Sequence, residues 1–207
     1  MKRKWIYLTT AMIVAVLFCL MAWQFFFRQP EKFIPADLST LPPLEVGDWV
    51  LRMGTETDSL LIRQIGGGDY SHIGVIAAIT PQIMVIHATT QEPQQTPSDG
   101  VLLTPLTYFG ASDRASAYAV IRPQFLTASQ KQQMVQSLKQ KVGQPFVLRE
   151  KSKPHLYCTT LLENEIRKVS PDFSPQWQLV DTPIFRGEYL FPKAFVDYPD
   201  TVVIVRQ

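Results

Sequence analysis

The chain has 207 residues, 46% of them apolar, and a formal charge of +2. Lys2, Arg3 and Lys4 supply three of the positive charges, so the remainder sums to −1 and lacks the basic footprint that a nucleic-acid partner requires. Its two cysteines, Cys19 and Cys158, exclude a disulfide framework, because Cys19 falls in a stretch that reads as a membrane segment.

In chain order, the basic tip 1–4 precedes residues 5–27, which carry no charged side chain. As a helix at about 1.5 Å per residue that stretch reaches roughly 34 Å, enough for one bilayer crossing. The positive tip predicts a cytoplasmic N-terminus and export of everything beyond Arg28. A cleaved signal peptide is the competing reading. Against it, the apolar core is long, and the boundary Ala22-Trp23-Gln24-Phe25 offers no small-x-small site, so an uncleaved anchor is expected. Residues 28–46, with Pro30, Pro35, Pro42 and Pro43, read as an extended spacer, and residues 47–207 as one domain.

Within that domain, strand-like runs are Trp49 to Met53, Ile73 to Ile79, Ile83 to His87, Val101 to Leu103, Ala117 to Ile121 and Val202 to Val205. One helix is predicted over 128–142, opened by a capping box of Thr127 and Gln130, striped by Met134, Leu138 and Val142, and stopped by Gly143. A second starts at or just after Cys158, with Leu162, Ile166 and Val169 on one side. Strands and helices in separate blocks predict an α+β domain with an antiparallel β-sheet packed on a few helices.

Cys158 has no exported partner, and an unpaired thiol in an oxidising compartment is either buried or used. At a helix N-terminus its thiolate would face free N–H groups, which predicts a lowered pKa and a built-in oxyanion site. The base comes from the hairpin. A four-residue loop from Ile79 to Gln82 puts His87 opposite Gly74, which makes His72 and His87 diagonal neighbours on one face, about 7–8 Å apart at Cα. A one-residue slip would separate them. A zinc hydrolase using His72, His87 and His155 is a second reading, without a His-Glu-x-x-His or paired Cys-x-x-Cys motif behind it. A non-catalytic binding module is a third. Gly66-Gly67-Gly68 reads as a flexible turn, with no following Gly-Lys-Ser/Thr for a phosphate loop.

The segments Gly47-Asp48-Trp49-Val50, Tyr70-Ser71-His72-Ile73-Gly74, Val85-Ile86-His87-Ala88, Gly143-Gln144-Pro145-Phe146, Tyr157-Cys158-Thr159 and Phe191-Pro192 together resemble the circularly permuted NlpC-type papain-fold cysteine hydrolases. The resemblance spans nearly all of residues 45–205. It implies a papain-like fold with Cys158 as nucleophile, His72 as base and His87 as orienting residue, and it points to Tyr70, Ser71 and Tyr157 as substrate-binding. It implies no metal and no cofactor. The expected activity is a thiol hydrolase of amidase or peptidase type, held at a bacterial inner membrane with its domain exported, acting on cell-wall peptides. The alternative substrate is a lipid acyl ester or amide, handled by an acyltransferase or thioesterase. Two positions depart from the family pattern: Thr160 stands where an acid is common, and Phe146 where a tyrosine is.

Overall fold

Alternation along Trp49-Val50-Leu51 divides β1 (Trp49–Gly54) between two buried faces, since Trp49 and Leu51 enter one apolar cluster and Val50 another. The computed structural model describes residues 34–90, 92 and 97–206. Around β1 it builds a six-stranded sheet with β2 (His72–Ala78), β3 (Met84–Thr89), β4 (Gly100–Pro105), β5 (Ala115–Pro123) and β8 (Thr201–Arg206), in the order β4-β3-β2-β1-β5-β8. Every pairing in it is antiparallel. A separate hairpin joins β6 (Gln178–Asp181) to β7 (Arg186–Tyr189). The domain is therefore α+β, as the block pattern predicts.

Two helices cover the Trp49 face. Met134, Val135 and Leu138 of α3 (Ala128–Lys139) and Leu161, Leu162 and Ile166 of α4 (Cys158–Val169) close on Leu51, Ile73 and Val75. Each large side chain buried this way stabilises by roughly 1.5–3 kcal/mol. The capping box forms as expected: Thr127 N–H donates to Gln130 Oε1 at 2.9 Å, and Gln130 N–H to Thr127 Oγ1 at 3.3 Å. The helix ends before Val142, which is exposed, and Gly143 turns the chain at φ +89°.

The other face is covered in a way the sequence does not announce. Here Val50, Ile76, Val85 and Val120 pack on Leu106 and Phe109 of the short α2 (Leu106–Phe109), and Leu38, Leu41 and Leu44 close over them. Ala36 N–H also bonds Thr107 O at 3.0 Å. From residue 36 onward the proline-rich segment is thus part of the domain rather than a free spacer, because its leucines fill a sheet face that would otherwise be wet. A further helix, α1 (Thr57–Gly66), stands where no helix was expected, and Gly67 stops it at φ 65°. The last, α5 (Lys193–Val196), is a single turn.

Residues 33–207 make one compact unit, and 1–32 are not part of it. The basic tip, the expected anchor at 5–27 and the first part of the spacer lie outside the described residues. Among the described residues no helix is long and apolar enough to cross a membrane.

Candidate active site

The hairpin sets the first half of the site. Val75 pairs with Ile86 and Ile76 with Val85, which carries Gly74 across from His87, the register expected from sequence. The loop is one residue longer than expected, because Ala78 pairs with Met84 and an irregularity between Ile76 and Ala78 takes up the difference before the histidines are reached. Gly74 keeps the space between them open: a Cβ there would stand 2.5 Å from Val85 Cγ1 and 3.1 Å from His87 Cβ. His72 Nε2 and His87 Nδ1 consequently meet at 2.8 Å, with the rings edge to face at 87°.

The row does not stop there. His87 Nε2 lies 2.7 Å from Thr104 Oγ1 on β4, so one hydrogen-bonded line crosses β2, β3 and β4. Phe109 seats both rings, with centroids 5.6 Å from His72 and 5.2 Å from His87. Burial holds both imidazoles well below their ordinary 6.5, and the Arg52 guanidinium pushes each the same way. Both rings are neutral at neutral pH.

Cys158 supplies the second half. It is the first residue of α4, following Tyr157 in extended conformation, and Tyr157 N–H donates to Thr160 Oγ1 at 3.0 Å. Thr160, which departs from the family pattern, is thereby a helix cap. The neighbours of the thiol grip one residue from both sides: Thr159 Oγ1 donates to Leu190 O at 2.8 Å, and Leu190 N–H donates to Tyr157 Oη at 3.0 Å. The sulfur faces the backbone N–H groups of Ile73 and Thr159, which places it one residue along the chain from His72. Burial nevertheless dominates and pushes the thiol up to about 11, opposed by those amides and by Arg52. The expectation of a lowered thiol pKa is corrected: the helix terminus acts as predicted, and desolvation outweighs it.

Cys158 and His72 line one cavity of about 320 Å3, together with Ser71 and Tyr157; His87 lies behind His72. Ile62, Ile65, Leu148, Phe185, Tyr189 and Phe191 make its apolar wall, drawn from α1, the β6–β7 hairpin and the segments beside them. Two of the residues expected to bind substrate do other work. Tyr70 packs in the main core and is not part of the lining. Ser71, although it lines the cavity, accepts the Gly54 N–H at 3.0 Å and so ties β1 to β2. His155 is half-buried, with Nδ1 2.7 Å from Lys153 O and its ring against Tyr157 and Trp177, and does not join the histidine row.

Sequence reasoning missed Thr104 and a buried charge cluster. Arg52 lies directly across from His72 in the β1–β2 register and over the Phe109 ring. Its Nη1 is 2.9 Å from Glu92 Oε1, and Arg114 Nη1 is 3.3 Å from Glu92 Oε2. Both arginines line the cavity. A charged residue inside the apolar run Trp49–Gly54 is the signal that could have marked Arg52; Thr104 needed the β3–β4 pairing.

No family model matches the chain, and no curated protein matches it. Solved structures do. The crystal structure of metalloprotein yiiX from Escherichia coli O157:H7, DUF1105, is similar with a TM-score of 0.65 at 18% identity, over 79% of this chain and 97% of that one. At that identity the likeness is one of fold. It overturns the resemblance to the circularly permuted NlpC-type hydrolases, because this structural neighbour belongs to a different fold family. Two of the short motifs that carried the resemblance have local structural uses: the Gly74 gap and the grip of Tyr157 and Thr159 on Leu190.

Proposed function

We propose that the protein is a thiol-dependent acyl-transfer enzyme, hydrolysing or transferring an acyl group through a thioester on Cys158. The observation that supports this most is the row His72–His87–Thr104, directed to the cavity that holds Cys158 at a helix start. His72 Nε2 is engaged by His87, which leaves Nδ1 to take the thiol proton. The thiolate adds to the acyl carbonyl, the oxyanion takes N–H bonds at the start of α4, and the imidazolium returns its proton to the leaving group. Water or an acceptor hydroxyl or amine, deprotonated by His72, then releases the acyl group and restores the thiol.

The apolar wall favours, of the two substrates considered, an acyl ester or amide with a hydrocarbon portion over a cell-wall peptide. The same reading keeps residues 5–27 as a single-pass anchor with the domain exported from the cytoplasm, within reach of both. Turnover of long-chain acyl esters or amides by the full chain, lost in Cys158→Ala, is expected; turnover of muropeptides alone would reverse the choice.

The neighbour yiiX is described as a metalloprotein, so the donor set here needs a test. Among the described residues no group of three or more His, Cys, Asp or Glu could hold a metal ion. The facing nitrogens of His72 and His87 stand 2.8 Å apart, a hydrogen-bond separation, whereas two imidazoles on one zinc at about 2.0–2.1 Å each sit farther from one another. The residues do not fit a metal, and the mechanism has no step through one.

A further inference from the structure

Thr104 is completely buried on β4, beyond the last residue the proposed reaction needs, yet it carries the row that begins at His72 onto a third strand. A row of two neutral imidazoles holds two ring protons and has two directions. In one, His87 Nε2–H donates to Thr104 Oγ1, His72 Nε2–H donates to His87 Nδ1, and His72 Nδ1 carries a lone pair. In the other, Thr104 O–H donates to His87 Nε2, His87 Nδ1–H donates to His72 Nε2, and the remaining proton sits on His72 Nδ1. Only the first leaves a base for the thiol.

We propose that Thr104 is the positioning residue that sets this direction: its hydroxyl oxygen accepts the His87 Nε2–H, and the basic nitrogen is thereby fixed at His72 Nδ1. The inference rests on the thiol reading above for the choice of direction and for its effect on rate, while the protons themselves are read without activity. Three features make the Thr104 contact decisive for His87. The contact is 2.7 Å, a full-strength hydrogen bond. His87 has no exposed surface, so water cannot substitute for the hydroxyl. The His87 ring is also fixed edge-on to Phe109 at 87°, which denies it an alternative partner by rotation. When His72 takes the thiol proton, its charge is met by His87 Nδ1, which accepts the His72 Nε2–H because His87's own proton is held at Thr104.

The test reads the protons and the rate separately. Nitrogen-15 spectra of the wild-type histidines at pH 7.5 are expected to show His72 and His87 both as Nε2–H tautomers; His72 as Nδ1–H overturns the proposal without any variant. Thr104→Val keeps the shape and removes the acceptor. It is expected to lower kcat about 10–100-fold with KM unchanged, the scale seen when outer partners that fix a histidine's tautomer are lost, and to mix the tautomers. Thr104→Ser is expected to restore both. A folded Thr104→Val with wild-type kcat and tautomers, or a Thr104→Ser that restores the fold but neither readout, overturns it. Full turnover in Cys158→Ala is a separate result: it removes the thiol reading, and with it the rate effect, while the spectra still decide the direction of the row.

Discussion

Cys158 and His72 line one cavity, and their burial pushes the thiol up to about 11 and the imidazole well below 6.5, so the resting pair is neutral on both sides. On the proposed mechanism charge appears only when a substrate is attacked; the amides of Ile73 and Thr159 and the Arg52 guanidinium favour the thiolate. Iodoacetamide should therefore label Cys158 slowly at pH 7 and progressively faster as pH rises toward 11; a labelling midpoint below pH 8 would contradict this. The histidines make an independent prediction about stability. The unfolded chain protonates them near 6.5 and the folded chain resists, so their contribution is complete above that value and is lost as pH falls below it. Urea unfolding from pH 7.5 to 5 is expected to show falling stability, with a shallower fall in His87→Gln.

At the scale of elements, the site depends on a hairpin register and a helix start. Gly74→Ala would drive a Cβ against Val85 and, at 2.9 Å, against the Ile86 carbonyl, so the β2–β3 pair must open. A loss of about 1–3 kcal/mol is expected by thermal unfolding, together with reduced turnover as His87 is pushed away; an unchanged protein would contradict the role given to this gap. The histidine pair was legible in the sequence because side chains alternate with period two and Gly74 marks a close approach. The start of α4 was legible because Leu162 and Ile166 recur at helical spacing after Cys158. The rest was hidden for physical reasons. The α1 stretch holds Leu60 exposed and Leu61, Ile62 and Ile65 against the cavity, so its apolar residues span both sides and blur the helical period. The β6–β7 hairpin buries only Val180 and Tyr189 while exposing Leu179 and Ile184, which erases alternation. Thr104 enters the site through a strand pairing between β3 and β4 that no local pattern encodes. The family resemblance failed because motifs of two to five residues fit local needs that different folds share.

Across the whole molecule, two long-range devices hold the cavity against the sheet. Glu92 sits between Arg52 and Arg114, joining the segment after β3 to β1 and to the start of β5. All three are buried, so Glu92→Gln removes the carboxylate facing Arg52 and one of the two facing Arg114, whose Nε keeps Asp113 at 3.4 Å, and should cost about 3–5 kcal/mol, measured by denaturant unfolding. A cost below about 1 kcal/mol would show the cluster to be solvated. The other device is the segment that lays Leu38, Leu41 and Leu44 over the Phe109 face, directly behind the histidine row. Replacing these three by Ser should lower stability by at least about 2 kcal/mol and loosen the seat of His72 and His87.

If catalysis passes through a thioester on Cys158 with His72 as base, as proposed, that intermediate can be trapped. The full chain is mixed with an activated long-chain acyl ester, quenched in acid within seconds, and its intact mass and peptide map are read. One added acyl group is expected on Cys158, released by hydroxylamine, absent from Cys158→Ala and formed far more slowly in His72→Ala. Turnover of the ester with no adduct on Cys158, or an equal rate of acylation in His72→Ala, would contradict the proposal.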